Sequence, residues 1–216
     1  MGKKKRSAGN LELIGGRLCL NFANTVSSRT ETPYREYLAT YQDLITWSLH
    51  VDLLTDEDAE DLLGSAALRP ELATTVLERA ITLREVIYRI FWAIADQRHP
   101  EQIDLDVLNT ALHEALARLE VRSATEGFEW AWGVDEDSLD WMLWPIVRSA
   151  ADLLTSDDVE RVKKCAGETC DWLFLDTSKN RSRRWCMMGV CGSRAKSRRY
   201  YRRKKRAAQR TSEKEE

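Results

Sequence analysis

Histidine is nearly absent from this chain: His50, His99 and His113 are the only three in 216 residues. The run His113-Glu114-Ala115-Leu116-Ala117 lacks the second imidazole that a helical zinc-protease motif requires. No nucleophile elbow and no glycine-rich phosphate cradle occurs either, so the common hydrolase and nucleotide-hydrolysis signatures are missing and the chain does not read as an enzyme. No apolar run approaches the roughly 20 residues a membrane-spanning helix needs. Residues Met1 to Gly9 are basic and polar with no apolar stretch, which predicts no signal peptide and a cytoplasmic location. Internal repeats and long low-complexity segments are lacking. Acidic residues are missing from one particular place: between Arg181 and Arg210 there are none.

That gap exposes a charge division hidden by the net charge of −2. Residues 161–216 hold 18 Lys and Arg against 6 Asp and Glu, whereas residues 1–160 hold 15 against 29. An acidic body joined to a basic terminal segment suggests two tasks in one chain.

Cysteine is sparse as well, five residues, but four of them are clustered as Cys165, Cys170, Cys186 and Cys191. Their spacing is C-x4-C-x15-C-x4-C. Two close pairs separated by a hairpin-length spacer are the sequence form of a structural tetrathiolate zinc site. With no export signal, clustered thiols favour metal ligation over disulfides. The fifth, Cys19, lies in the apolar run Leu18-Cys19-Leu20 and reads as a small buried hydrophobe rather than a nucleophile.

Within the spacer, Trp172-Leu173-Phe174-Leu175 has strand character and Asp176-Thr177-Ser178-Lys179-Asn180 has turn chemistry, with Ser182-Arg183-Arg184-Trp185 leading back to Cys186. The expected order is a knuckle at the first pair, a hairpin crossing over, and a helix opened by the second pair, a treble-clef-like arrangement around one zinc. The metal would supply the folding free energy so small a core lacks, with Trp172, Phe174 and Trp185 packed beside it. The helix then carries Arg194, Lys196, Arg198, Arg199, Arg202 and Arg203, followed by further Lys and Arg, and Arg181, Arg183 and Arg184 add cations from the spacer. Arg194, Arg198 and Arg202 share one helical stripe. A merely solubilising face would include compensating acids, so phosphate contact is the economical reading, with docking on an acidic protein surface, including the chain's own body, as the alternative.

The body, residues 1–160, reads as α+β and mainly helical. Residues 1–10 are expected to be a disordered arm, whose Lys3, Lys4, Lys5 and Arg6 are either a solvated tail or phosphate contacts. Gly15-Gly16 suits a turn launching a buried element. Helical spacing marks Tyr41–His50, a start at Thr55, a long helix from Pro70 toward Pro100, and Asp104–Leu116. Alternation over Leu119–Arg122 and Phe128–Trp132, joined through Gly127, predicts a half-exposed β-hairpin. Helical spacing returns over Ser138–Leu154, interrupted by Pro145. Asn21, Asn24 and Arg84 are candidate ligand-binding residues. Asparagines in such an apolar element are more often structural braces, and Arg84 calls for an acidic partner, an anionic ligand or a route to solvent.

The run from Cys165 through Cys-Ala-Gly-Glu-Thr-Cys and Cys-Met-Met-Gly-Val-Cys to the basic helix resembles the CGNR zinc finger. The upstream Leu18-Cys19-Leu20-Asn21-Phe22-Ala23-Asn24-Thr25 is similar to the opening motif of the ABATE domain, which precedes that finger in bacterial proteins. The motif that names the finger reads Cys191-Gly192-Ser193-Arg194 here, with Ser in place of Asn. The resemblance implies an ABATE-like domain over 1–160, a CGNR-type finger over 161–210, and a zinc-dependent, DNA-binding, stress-linked transcription regulator, its first domain a candidate ligand sensor. RNA binding and a zinc-stapled protein-interaction module are the rival functions, and a small-molecule effector and a homodimer are compatible with the sequence.

Overall fold

The computed structural model describes residues 5–29, 32–135 and 138–212, with side chains through Lys205. The chain runs α1 (Leu18–Ala23), α2 (Tyr41–His50), α3 (Asp56–Leu68), α4 (Pro70–Ala95), α5 (Gln102–Leu116), β1 (Leu119–Ser123), β2 (Phe128–Trp132), α6 (Trp144–Leu154), β3 (Val162–Lys164), β4 (Leu173–Leu175) and α7 (Ser193–Ser212). It is the mainly helical α+β architecture the sequence predicts.

Local chemistry sets the helix starts. Thr40 and Thr55 each close a capping box, accepting from the amides of Asp43 and Asp58 while those carboxylates take the threonine amides in return. Pro70 opens α4, where its missing N–H costs nothing. Pro145 does not kink a long helix: a 3-10 turn over Trp141–Leu143 ends there and α6 starts afresh. Gly16 has φ 77, a conformation that β-carbons resist, and a Cβ on Gly15 would fall 2.7 Å from the amide of Asn21. The Gly-Gly pair therefore makes the tight entry into α1.

Helix α4 is the axis of the body, touching α1, α2, α3, α5, β3 and β4. Its buried stripe, with Val76, Ala80, Leu83, Ile87, Ile90 and Phe91, follows helical spacing. Each fully buried Leu, Ile or Phe on it contributes about 1.5–3 kcal/mol of transfer free energy. The β1–β2 hairpin is antiparallel, with Leu119 opposite Trp132 and Val121 opposite Trp130, and stands largely exposed.

Two expectations need correction. Residues 5–10 are not a disordered arm: Ser7 caps a 3-10 turn over Ala8–Asn10, Ala8 and Leu11 are buried, and this turn packs on α2. Arg6 pairs with Glu12 at 2.9 Å and lies over the Trp172 ring. Lys3 and Lys4 lie outside the described residues.

The second correction concerns the cysteine spacer. Leu173–Leu175 is a strand, but its partner is Val162–Lys164, with Val162 opposite Leu175 and Lys164 opposite Leu173. The first cysteine pair is thus the loop of this hairpin. Ser182–Trp185 forms no strand, since Asp176 holds the segment instead: its Oδ2 takes the amide of Arg183 at 3.0 Å and the Nζ of Lys163 at 2.6 Å.

Nor does the terminal module own a separate core. Trp172, Leu173, Phe174, Leu175 and Cys165 belong to the same continuous apolar cluster as Leu20, Phe22 and Phe91. Strand β4 is buried at every position and contacts both α1 and α4.

Candidate metal centre and nucleic-acid interface

The four cysteines converge from two local structures. Cys165 directly follows β3 and Cys170 precedes β4, so the hairpin holds one pair. Cys186 follows the Asp176-braced loop, and a π-helical turn over Met188–Gly192 carries Cys191 to the start of α7. All four Sγ atoms lie within 4.8 Å of one another, with Cys170 to Cys186 at 3.7 Å and Cys186 to Cys191 at 3.6 Å. Four thiolates at Zn–S distances of about 2.3 Å stand about 3.8 Å apart at the edges of a tetrahedron, so the cluster has the dimensions of a closed zinc site. Hydrogen bonds shared within the cluster hold the Cys165 thiol down while pushing those of Cys170 and Cys186 up, so the four sulfurs do not all ionise together on the protein's own account. A divalent cation makes them do so, and the donor set of four sulfurs selects zinc over hard cations.

The surroundings are built to hold this cluster still. The amide of Cys165 donates to Trp172 O at 2.9 Å, that of Cys186 reaches Cys165 Sγ at 3.4 Å, and Ala166 N donates to Arg184 O at 2.8 Å. Arg183 turns inward: its guanidinium donates to the carbonyls of Trp185 and Cys186 and lies 4.4 Å from the Phe174 ring centre. It braces the ligand loop rather than facing solvent. Arg184 stays exposed, stacked near Trp185, and Arg181 faces Glu160 at 3.6 Å.

Helix α7 leaves the metal cluster as a cationic rod. Arg194, Lys196, Arg199, Arg202, Arg203, Lys204 and Lys205 are exposed and Arg198 is half-buried. Among the described residues no carboxylate pairs with Arg194, Lys196, Arg199 or Arg203. Between α7 and the knuckle runs an open groove of about 910 Å³, lined by Gly167, Thr169, Arg194, Arg198 and Arg202 among others. Glu168 sits on its rim, one carboxylate oxygen 2.8 Å from Arg198 Nη1 and the other 2.9 Å from Arg202 Nη2.

Two family models match, in this order along the chain: ABATE, described as "Putative stress-induced transcription regulator", over residues 16–157, and the CGNR zinc finger over residues 161–204. The chain belongs to the ABATE family. The ABATE region is the helical body and the CGNR finger is the cysteine module, and the finger's four cysteines are positioned to bind zinc. Both families describe a regulator and a metal-binding finger rather than an enzyme. No curated protein matches the chain in sequence. Among the described residues, no helix is long and apolar enough to cross a membrane.

In the ABATE body, the polar residues singled out from sequence face protein atoms. Asn24 is buried, its Nδ2 donating to Leu173 O at 2.8 Å and its Oδ1 accepting from Leu173 N at 2.9 Å. Asn21 Oδ1 takes the amide of Gly15 at 2.8 Å. Arg84 is buried against Glu36, at 2.5 and 2.8 Å, and Glu85, at 2.9 Å. Burial works against ionisation of Glu36, but the hydrogen bonds and charge of Arg84 outweigh it and hold that carboxyl below the ordinary range. The buried Cys19 thiol is pushed up to about 12 by desolvation, which suits an inert core residue.

The sequence reading missed three acids that organise the finger: Glu168 on the basic stripe, Asp176 at the loop hub, and Asp171, whose Oδ2 takes Ser28 Oγ at 3.2 Å and the amide of Arg29. Glu168 lies inside the first cysteine pair and Asp171 directly after it, while Asp176 opens the turn-like run Asp176–Asn180, and those positions are the only signal the sequence offers.

Proposed function

We propose that this chain is a zinc-dependent DNA-binding regulator, in which the CGNR finger, treble-clef-like in its knuckle-to-helix order, presents α7 to duplex DNA. The observation that carries it is the exposed cationic surface of α7, where Arg194, Lys196, Arg199 and Arg203 meet no carboxylate among the described residues and Glu168 alone pairs with Arg198 and Arg202. Such a surface releases condensed counterions when phosphates replace solvent, and this supplies affinity irrespective of sequence. The family's description as a regulator supports the same reading. Zinc takes no part beyond structure: four sulfur ligands leave it no open position.

The body's contribution is to seat the finger. The amide of Asn24, the backbone of Val26, which accepts from Trp172 Nε1 at 2.7 Å, and Ser28 all grip the segment 171–173. Nothing favours sensing through Asn24 or Arg84, whose side-chain polar groups are held by protein partners, and the Oδ1 of Asn21 is taken by the Gly15 amide.

The test is fluorescence anisotropy with a labelled duplex across several salt concentrations. The wild type should give a log–log salt slope of several units, and replacing Arg198, Arg199 and Arg202 together by Ala should shrink that slope by about 2–3. A structured RNA bound more tightly than duplex DNA at every salt concentration would move the assignment to RNA. Binding that ignores salt would move it to protein docking.

A further inference from the structure

The groove between the knuckle and α7 contains one anion already. Glu168 is the only carboxylate described on this surface, and it spans two arginines of the basic stripe, one oxygen to each. Arg198 and Arg202 are one turn apart, so their guanidinium groups form a fork. The two oxygens of a carboxylate and two oxygens of a phosphodiester have nearly the same separation and present the same acceptors to such a fork. Arg194 lies one further turn toward the zinc cluster on the same stripe and lines the same groove, with no carboxylate partner among the described residues. Thr169 lines it from the opposite side.

We propose that the groove is a subsite for one backbone phosphate, gripped by Arg198 and Arg202 with Arg194 behind them, and that Glu168 is the resident stand-in which the phosphate must displace. This rests on the DNA-binding reading of α7 and assigns a particular phosphate position and a regulating residue within it. Glu168 and both arginines are solvent-accessible, with side-chain exposures of 53%, 39% and 71%. The internal pair is therefore weakly held and exchanges readily. Its residual cost to binding is twofold: the fork must be vacated, and a displaced carboxylate stays tethered beside the incoming phosphate, repelling it. The opposite role, a carboxylate that pre-orients the arginines and so helps binding, predicts the opposite sign on substitution.

The experiment is duplex-DNA anisotropy on the zinc-loaded full chain with Glu168→Gln, which keeps shape and removes charge, with zinc content and melting temperature verifying an intact finger. The expected result is about three- to tenfold tighter binding at low salt, a gain that shrinks as salt rises. In the Arg198→Ala/Arg202→Ala background the same substitution should give less than half that gain. Unchanged or weaker binding by Glu168→Gln, while the wild type binds normally, overturns the subsite and leaves the DNA-binding reading standing. An equal gain with and without the two arginines also overturns it, because the effect is then general charge removal. A duplex that neither protein binds at low salt overturns the subsite together with the reading beneath it.

Discussion

The side-chain amide of Asn24 pairs with the main chain of Leu173 as a strand neighbour would, giving one hydrogen bond and taking one, at 2.8 and 2.9 Å. It is the C-cap residue of α1 in the body, and Leu173 opens β4 three residues after the zinc ligand Cys170. Body and finger are thereby fastened through a buried contact in which both polar atoms of the Asn24 amide are paired.

Asn24→Ala should strip two buried main-chain groups of their partner and cost about 2–5 kcal/mol. Chemical denaturation followed by tryptophan fluorescence and by zinc release would show both signals shifting together. A loss confined to zinc release, with the body's transition unmoved, would contradict the fastening.

The shared core extends the same logic to the metal. From sequence, the finger looks separable, so losing a ligand such as Cys186 should spare the body. The structure places Leu173, Phe174 and Leu175 in the body's own cluster against α1 and α4, so that independence does not follow. Chelating zinc from the full chain, or replacing Cys186 with Ser, should lower the melting temperature of the body as well, by roughly 10–20 °C if the metal contributes at least about 5 kcal/mol. Calorimetry reporting an unchanged body transition would restore two independent units.

What could be read from sequence was local. Thr55 followed by Asp58, Pro70 at a helix start and the three-and-four spacing along α4 all act within a turn or two, and each C-x4-C pair is equally short-range. What escaped was non-local. Asn24 and Leu173 are 149 residues apart, and no pattern near either one announces the other. Turn residues at Asp176–Asn180 suggest a hairpin on that side of Leu173–Leu175, but the strand partner lies on the other, at Val162–Lys164. One local pattern does point to the shared core: Trp172-Leu173-Phe174-Leu175 does not alternate, which marks a strand buried on both faces and hence seated within a larger core.

The buried Arg84–Glu36 pair makes stability depend on acid. The pKa of Glu36 is held below its ordinary value, and Glu85, bonded by Arg29 and Arg84, is likewise held down against the opposing pull of burial. Groups with depressed folded-state values contribute stability above their unfolded pKa and lose it as pH falls through the folded one. Stability should therefore be level near neutral pH and decline progressively below about pH 4.5. Glu36→Gln should destabilise at pH 7 by about 3–5 kcal/mol, by leaving Arg84 buried with less charge compensation, and should flatten the acid limb. Denaturation midpoints at pH 7 and pH 4 for both proteins check the sign.

Two arginines of the basic segment should part company under mutation. Arg183 and Arg199 are indistinguishable as charges in an acid-free run, yet Arg183 donates to the carbonyls of Trp185 and Cys186 and lies against Phe174, while Arg199 is exposed on α7. Truncating Arg183 removes hydrogen bonds that immobilise the Cys186 loop, at a cost of about 1–3 kcal/mol, and takes no cation from the exposed face of α7. Truncating Arg199 removes one solvent-exposed cation of α7 and no internal contact among the described residues. Arg183→Ala should therefore lower the melting temperature by several degrees and ease zinc release, with duplex-DNA affinity nearly unchanged when the finger is loaded. Arg199→Ala should leave melting and zinc retention alone, weaken binding a few-fold and reduce the salt slope by about one. If Arg183→Ala instead behaves like Arg199→Ala in both assays, its guanidinium turns outward in solution, and the inward brace on the ligand loop is wrong.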